Sequence, residues 1–322
     1  MQALMAERCP DGRFRVLGTG QAPALGIRCG DVVNAGDAVE AVVEALAGAA
    51  RSSGERIDTV YFNFDDPQME GCTVSASKQL RGEGEIRSGD IEEACGLAER
   101  MGARFDRTTV YSRPVSFLID DRDVMSYPIG TYGQKLEVKV LLLLARSAAC
   151  EAWQKVFQRA HVRKAVRVAS AVSTAHGALA GPEERLHRAL IVDAGGDCLN
   201  VILHENNGVT DLLVRPASNS PASQANALAK DMAARHAGIA ECVVTGELAA
   251  DLQRKLGQAL GLPVRPAAPR AVPGFTEPSD ASIAGLLHVA DRQEKKALVL
   301  NRHQGLLEGA KERAKAVINE YF

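Results

Sequence analysis

Apolar positions along the chain recur with two periods, and the alternation between them sets out the fold. Val39, Val42, Val43 and Leu46 stand at i, i+3, i+4 and i+7, which is one face of a helix. Asp37, with Glu40 three residues on, has capping-box spacing and opens that helix. Asp90 with Glu93 opens another, whose inward positions are Ile91, Ala94, Cys95, Ala98 and Met101. Residues 148–160, 224–235, 249–260 and 281–290 also read as helices, and 298–322 as a final helical stretch. β-branched and aromatic runs at 14–17, 59–64, 108–119, 136–144, 189–192, 199–204, 209–214 and 241–245 read as strands. Gly18-Thr19-Gly20 reads as the turn that ends the first of these. Asn206-Asn207-Gly208 between two apolar runs predicts a hairpin. Residues 263–278 are Pro-rich and read as a connector. Helices and strands mix throughout the 322 residues, so the class is α/β, with room for two or three lobes.

Composition narrows the classes. Hydrophobic residues make up 46% and charged residues 24%, values of an ordinary globular chain. The formal net charge of -2 offers no basic field for nucleic acid. No signal peptide opens the sequence, and its longest apolar run, Val138 to Ala145, is broken by Lys139 and has strand length. A cytoplasmic protein is expected, with any membrane contact peripheral. The seven cysteines, Cys9, Cys29, Cys72, Cys95, Cys150, Cys198 and Cys242, are scattered without a CxxC pair. They read as reduced residues packed like small apolar ones. Catalytic signatures are missing: His161, His176, His187 and His204 lack metal spacing, no Ser stands in a GxSxG elbow, and there is no P-loop.

Four segments, in order, resemble the bacterial actin-like cell-division family FtsA. Gly18 to Pro23, with Gly26, Gly30 and Val32-Val33-Asn34, is similar to the loop after that family's second strand. Residues 60–99 resemble its inserted SHS2-type lobe, called 1C. Tyr127-Pro128-Ile129-Gly130 and Leu136 to Val140 resemble the return to the core. Leu190-Ile191-Val192-Asp193-Ala194-Gly195-Gly196 and the hairpin behind it resemble the second phosphate-binding hairpin of the actin superfamily. Val243 to Gly246 looks like the adenosine-side turn, and Pro278 to Leu287 like the closing helix.

The resemblance implies an actin-like, ribonuclease-H-like core with an inserted lobe. Its parts are 1–58 as the first part of subdomain 1A, 59–135 as lobe 1C, 136–188 as the return to 1A, 189–290 as subdomain 2A, and 291–322 as a C-terminal amphipathic helix. It also implies an ATP–magnesium site at Asp193, Gly195, Gly196, Thr245 and Gly246, but a degenerate one. Met1 falls where the second strand of the first phosphate hairpin is already under way. Asp197 stands at an expected glycine, where its charge repels phosphate oxygens unless a metal intervenes. Cys198 and Leu199 replace hydroxyl residues, Asn200 replaces an acidic one, and Glu247 and Leu248 occupy expected glycines. The reading of Gly195 and Gly196 is a tight strand turn with ATP binding lost. Nine residues separate Met232 from Cys242, where the family inserts subdomain 2B, so 2B is expected to be absent.

The tail carries Leu306, Leu307, Ala310, Ala314, Val317, Ile318, Tyr321 and Phe322 on one helical face, an arc of ~160°. Lys311 and Lys315 flank it. By resemblance this is the helix that docks FtsA to the membrane; packing on the body, or self-association on a second copy, is the alternative. The function the resemblance implies is a cell-division adaptor that binds FtsZ-type or other division partners. A working actin-like ATPase and a platform of the PilM pilus-assembly type are the alternatives.

Overall fold

The structure is a computed structural model and describes residues 1–302 except 10–12, 126, 180, 182, 270 and 271. Residues 303–322, and with them Leu306, Leu307, Lys311, Lys315, Val317, Ile318, Tyr321 and Phe322, lie outside the described residues.

The first half begins with an antiparallel hairpin, β1 (Gln2–Arg8) and β2 (Phe14–Gln21). Gly18, Thr19 and Gly20 belong to β2 and form no turn. Helix α1 (Ala35–Ser53) lies so close to this strand that a Cβ at Gly20 would fall 2.0 Å from the Ala45 carbonyl oxygen. The glycines serve close packing there. Between β2 and α1 runs a two-stranded turn, β3 (Ile27–Arg28) and β4 (Asp31–Val32). The helix starts two residues before Asp37, because the Asn34 side chain caps it by accepting from the Gly36 and Asp37 N–H groups at 2.9 and 3.4 Å.

β5 (Thr59–Phe64) pairs in parallel with β10 (Lys164–Ala169). Between them in sequence lies a lobe of β6 (Glu70–Glu85), α2 (Ser88–Gly102), β7 (Arg107–Ile119), β8 (Asp123–Met125) and β9 (Tyr132–Arg146), followed by α3 (Ser147–Arg159). The lobe's sheet has the order β6-β9-β7-β8 and spans residues 70–146, whereas 59–135 is the stretch expected from the sequence. Period-two alternation explains how β9 serves two cores. Leu136, Val138, Val140, Leu142 and Leu144 meet Ile91, Ala94 and Ala98 of α2, while Leu141, Leu143 and Ala145 face the central core with Trp153 and Phe157. A strand buried on both faces reads as a continuous apolar run, as Val138 to Ala145 does apart from Lys139.

α4 (Ser170–Ala178) leads into the second half: β11 (Ala189–Gly195), β12 (Cys198–Glu205), β13 (Gly208–Pro216), α5 (Pro221–Arg235), β14 (Glu241–Gly246), α6 (Ala249–Leu260) and β15 (Val264–Pro266). Their order is β15-β14-β11-β12-β13, and one residue pair, Leu213 with Glu70, joins this sheet to that of the lobe. Asn206 and Asn207 take φ of 50° and 67°, the left-handed turn expected of the hairpin. α5 ends at Arg235 and β14 begins at Glu241, so no lobe projects between them. Finally α7 (Ala281–Arg302) packs on α4 and runs unbroken through 290 and 291, the expected start of the tail.

Among the described residues β1 pairs only with β2, and β5 only with β10. A cavity of about 570 Å³ lies between them, lined by Met5, Leu46, Phe62, Phe157, Ile283 and Leu287 among others. No described helix is long and apolar enough to cross a membrane.

Candidate functional site

The two halves meet at a cleft whose floor is acidic. Asp193 lies near the end of β11, where parallel pairing sets it beside Thr245 and sets Ala194 beside Gly246 of β14. Asp65 follows β5 directly and approaches from the first half. Both carboxyls are partly exposed, yet the protein around them is dense and desolvation dominates. Burial pushes Asp193 up to about 6 against hydrogen bonds from Thr174 and Asn200. Burial pushes Asp65 up to about 7; Ser170 and Asn200 oppose it by hydrogen bonding, and the charges of Asp193 and Asp197 add to it. Thr174 Oγ1 donates to Asp193 at 3.3 Å. Asn200 is 3% exposed, and its Oδ1 is buried without a hydrogen-bond partner.

The four remaining nucleotide positions read from the sequence sit around this floor in different states. Gly195 and Gly196 have open space where a Cβ would stand, and neither has positive φ, so neither packing nor backbone conformation demands glycine. Gly246 is required: its φ is 87°, and a Cβ would fall 2.3 Å from the Ala194 carbonyl oxygen. Thr245 is 1% exposed and its hydroxyl donates to the Pro278 carbonyl, so it holds the segment before α7.

The turn after Gly196 reaches across the cleft. The Asp197 carboxylate accepts the N–H of Cys29, which turns the β3–β4 loop with a φ of 46°. Cys29 and Cys198 are disulfide-bonded, with Cα atoms 4.9 Å apart. The expectation that every cysteine is reduced is corrected at this pair, since the chain folds so that two sulfurs 169 positions apart meet.

The first-half loop is anchored from the lobe side. The Trp153 indole donates to the Gly30 carbonyl at 2.7 Å. Arg146, at the end of β9, bridges Asp31 at 2.9 Å and Asp66 at 2.8 Å. Burial raises the Asp66 carboxyl, but hydrogen bonds from the Arg146 side chain and N–H and the Gln68 N–H outweigh it and hold the group below the usual range. The strand that closes the lobe therefore also fixes the cleft loop.

Asp65 and Cys29 as parts of this site escape sequence reasoning. No spacing signal links residues 29 and 65 to the hairpin of Asp193 and Asn200; only the topology brings them together.

Residues 68–144 match the family described as the SHS2 domain inserted in FtsA. The cell division protein FtsA of Neisseria meningitidis is 23% identical over 257 residues, covering 76% of this chain and 60% of that protein. FtsA of Rhizobium meliloti is 28% identical over 184 residues, or 57% and 41%. The chain thus spans about half the length of the curated relatives it matches. A solved PilM-PilN type IV pilus biogenesis complex superposes with a TM-score of 0.61 at 13% identity, over 89% of this chain and 94% of that one. The fold is actin-like with an inserted SHS2 domain, and the chain is an FtsA-like one.

Proposed function

We propose that this FtsA-like chain is an adaptor that works without tight nucleotide binding. Its SHS2 lobe binds division partners, FtsZ-type proteins among the candidates, and residues 306–322 tether it to the inner face of the membrane. The observation that carries the reading is the contact of Asp197 with the Cys29 N–H across the cleft. It closes the turn that would face the phosphates and adds a third carboxylate to Asp65 and Asp193. The turn so closed and a Thr245 hydroxyl committed to Pro278 speak against a bound nucleoside triphosphate, and Asp197 repels phosphate oxygens unless a metal stands between them. The lobe, in contrast, keeps a complete apolar core.

The test is localisation. A fluorescent fusion in the organism that carries the chain is expected to gather at the division site and to disperse when residues 68–144 are deleted. Foci that follow pilus assembly instead would favour the PilM-like alternative, and an even cytoplasmic signal would contradict the adaptor role.

A further inference from the structure

We propose that Cys29 and Cys198 form a thiol–disulfide exchange site that fastens the two halves of the chain across the cleft and releases them on reduction. The inference goes beyond the adaptor reading and does not depend on it.

The two sulfurs come from opposite walls. Cys29 sits at the tip of the β3–β4 loop in the first half and is 2% exposed. Cys198 opens β12 in the second half, opposite Gly195 in the hairpin register, and is partly exposed. The Cα separation of 4.9 Å lies within the range of roughly 4.4–6.8 Å that a disulfide spans. No other covalent link ties the walls among the described residues, and the nearest support is the Asp197 hydrogen bond to the Cys29 N–H, one residue from each sulfur or less. The anchors of Gly30 and Asp31 to Trp153 and Arg146 lie within the first half, so they hold the loop in place without holding the cleft shut.

Exposure assigns the direction of attack. A thiolate from a dithiol reductant reaches Cys198 Sγ, and the Cys29 sulfur leaves as thiolate and takes up a proton. The second thiol of the reductant then resolves the mixed disulfide and frees Cys198. Two electrons and two protons pass from the dithiol to the pair, and the reductant leaves as its own disulfide. A low-molecular-weight disulfide drives the reverse reaction and is itself reduced to two thiols. Two other buried thiols, Cys242 and Cys150, are unsuited to this exchange. Burial pushes Cys242 up to about 12 and also raises Cys150, so neither offers thiolate at neutral pH.

The test uses the full chain, equilibrated with oxidised glutathione or with dithiothreitol. Thiols are counted after unfolding, and amide hydrogen exchange is followed at residues 26–34 and 195–200. Five thiols are expected in the oxidised protein and seven after reduction. Exchange in both segments should rise at least about tenfold on reduction, while the lobe at 70–146 stays unchanged. Cys198→Ser should exchange like the reduced protein in both buffers, and Cys29→Ser supplies the same readout if the first variant fails to fold. Seven thiols after oxidation, or equal exchange in the two redox states, would overturn the proposal. Nucleotide binding by either form would instead count against the adaptor reading alone.

Discussion

The SHS2 lobe and the cleft stand one strand apart, and they treat charge in opposite ways. In the lobe, the charges where β6 meets α2 lie at the rim and are paired. Lys78 reaches Asp90 at 2.7 Å and Glu93 at 2.6 Å, and the interior is aliphatic. In the cleft, Asp65 and Asp193 sit where burial raises both, with no cation among the groups that shift them. A paired acid at a rim supports the fold; an unpaired acid in a cleft burdens it. Native chains keep such burdens where something other than packing is selected, so the lobe is the stable platform and the cleft is the region held in tension.

The largest break in this comparison comes from the lobe core. Leu142 is fully buried on the face of β9 that meets α2. Leu142→Ala is expected to lower stability by about 2–5 kcal/mol, read as a shift in the urea midpoint. A change below about 1 kcal/mol would mean that the lobe is not packed as described.

pH sharpens the contrast because the two regions have opposite signs. The Asp65 and Asp193 carboxyls are raised in the folded state, so between about pH 4 and 7 the folded chain binds more protons than the unfolded one. Their contribution to stability is therefore present at low pH and is lost as pH rises through about 6 to 7. Asp65→Asn should remove part of this loss, stabilising the chain by about 1–2 kcal/mol at pH 8 and by little at pH 4, with solvent contact limiting the gain. In the lobe, burial raises Asp90, but hydrogen bonds from Lys78 and the Arg87 N–H outweigh it and lower the group below the usual carboxylate range. Its contribution is present above about pH 4 and is lost on further acidification. Thermal unfolding of wild type and Asp65→Asn from pH 4 to 8 checks the sign in the cleft, and wild type against Asp90→Asn below about pH 4 checks the sign in the lobe. A variant that loses stability at pH 8 would show the Asp65 charge to be compensated.

Much of the lobe was legible in the residues. Its strands alternate apolar and polar positions, and α2 presents Ile91, Ala94 and Ala98 at helical spacing. The long strand β6 was not, since Ser75, Ser77, Lys78 and Gln79 give it a weak apolar face that is completed only by pairing with β9. β10 escaped for a similar reason: Lys164 and Arg167 mask a strand that is stabilised by its parallel neighbour β5. Gly18 and Gly20 misled because glycine signals a turn locally, while here it admits a helix. In the cleft, the Asp193 strand and its hairpin were readable as a local motif. The partnership with Asp65 and the Cys29–Cys198 bond depend on contacts across 128 and 169 positions, which no local pattern carries.

The smallest expected effect on folding concerns the tail. Ile318→Glu places a charge in the apolar stripe read from the sequence and should leave the stability of both lobe and cleft unchanged. Sedimentation with anionic phospholipid vesicles should pellet the wild type and leave the variant in the supernatant, since each large side chain on that face contributes about 1.5–3 kcal/mol when fully buried. If the wild type stays soluble with vesicles, the tail is no membrane anchor. Loss of a dimer in the variant would assign the face to self-association.

The adaptor account is tested most directly by calorimetry of magnesium–ATP against the full chain, reduced and oxidised in turn. With the Asp197 turn closed on Cys29 and the Thr245 hydroxyl committed to Pro278, the account predicts no saturable heat in either state at nucleotide up to ~1 mM. A saturable isotherm with a dissociation constant in the micromolar range would contradict it and return the chain to the nucleotide-binding actin-like proteins.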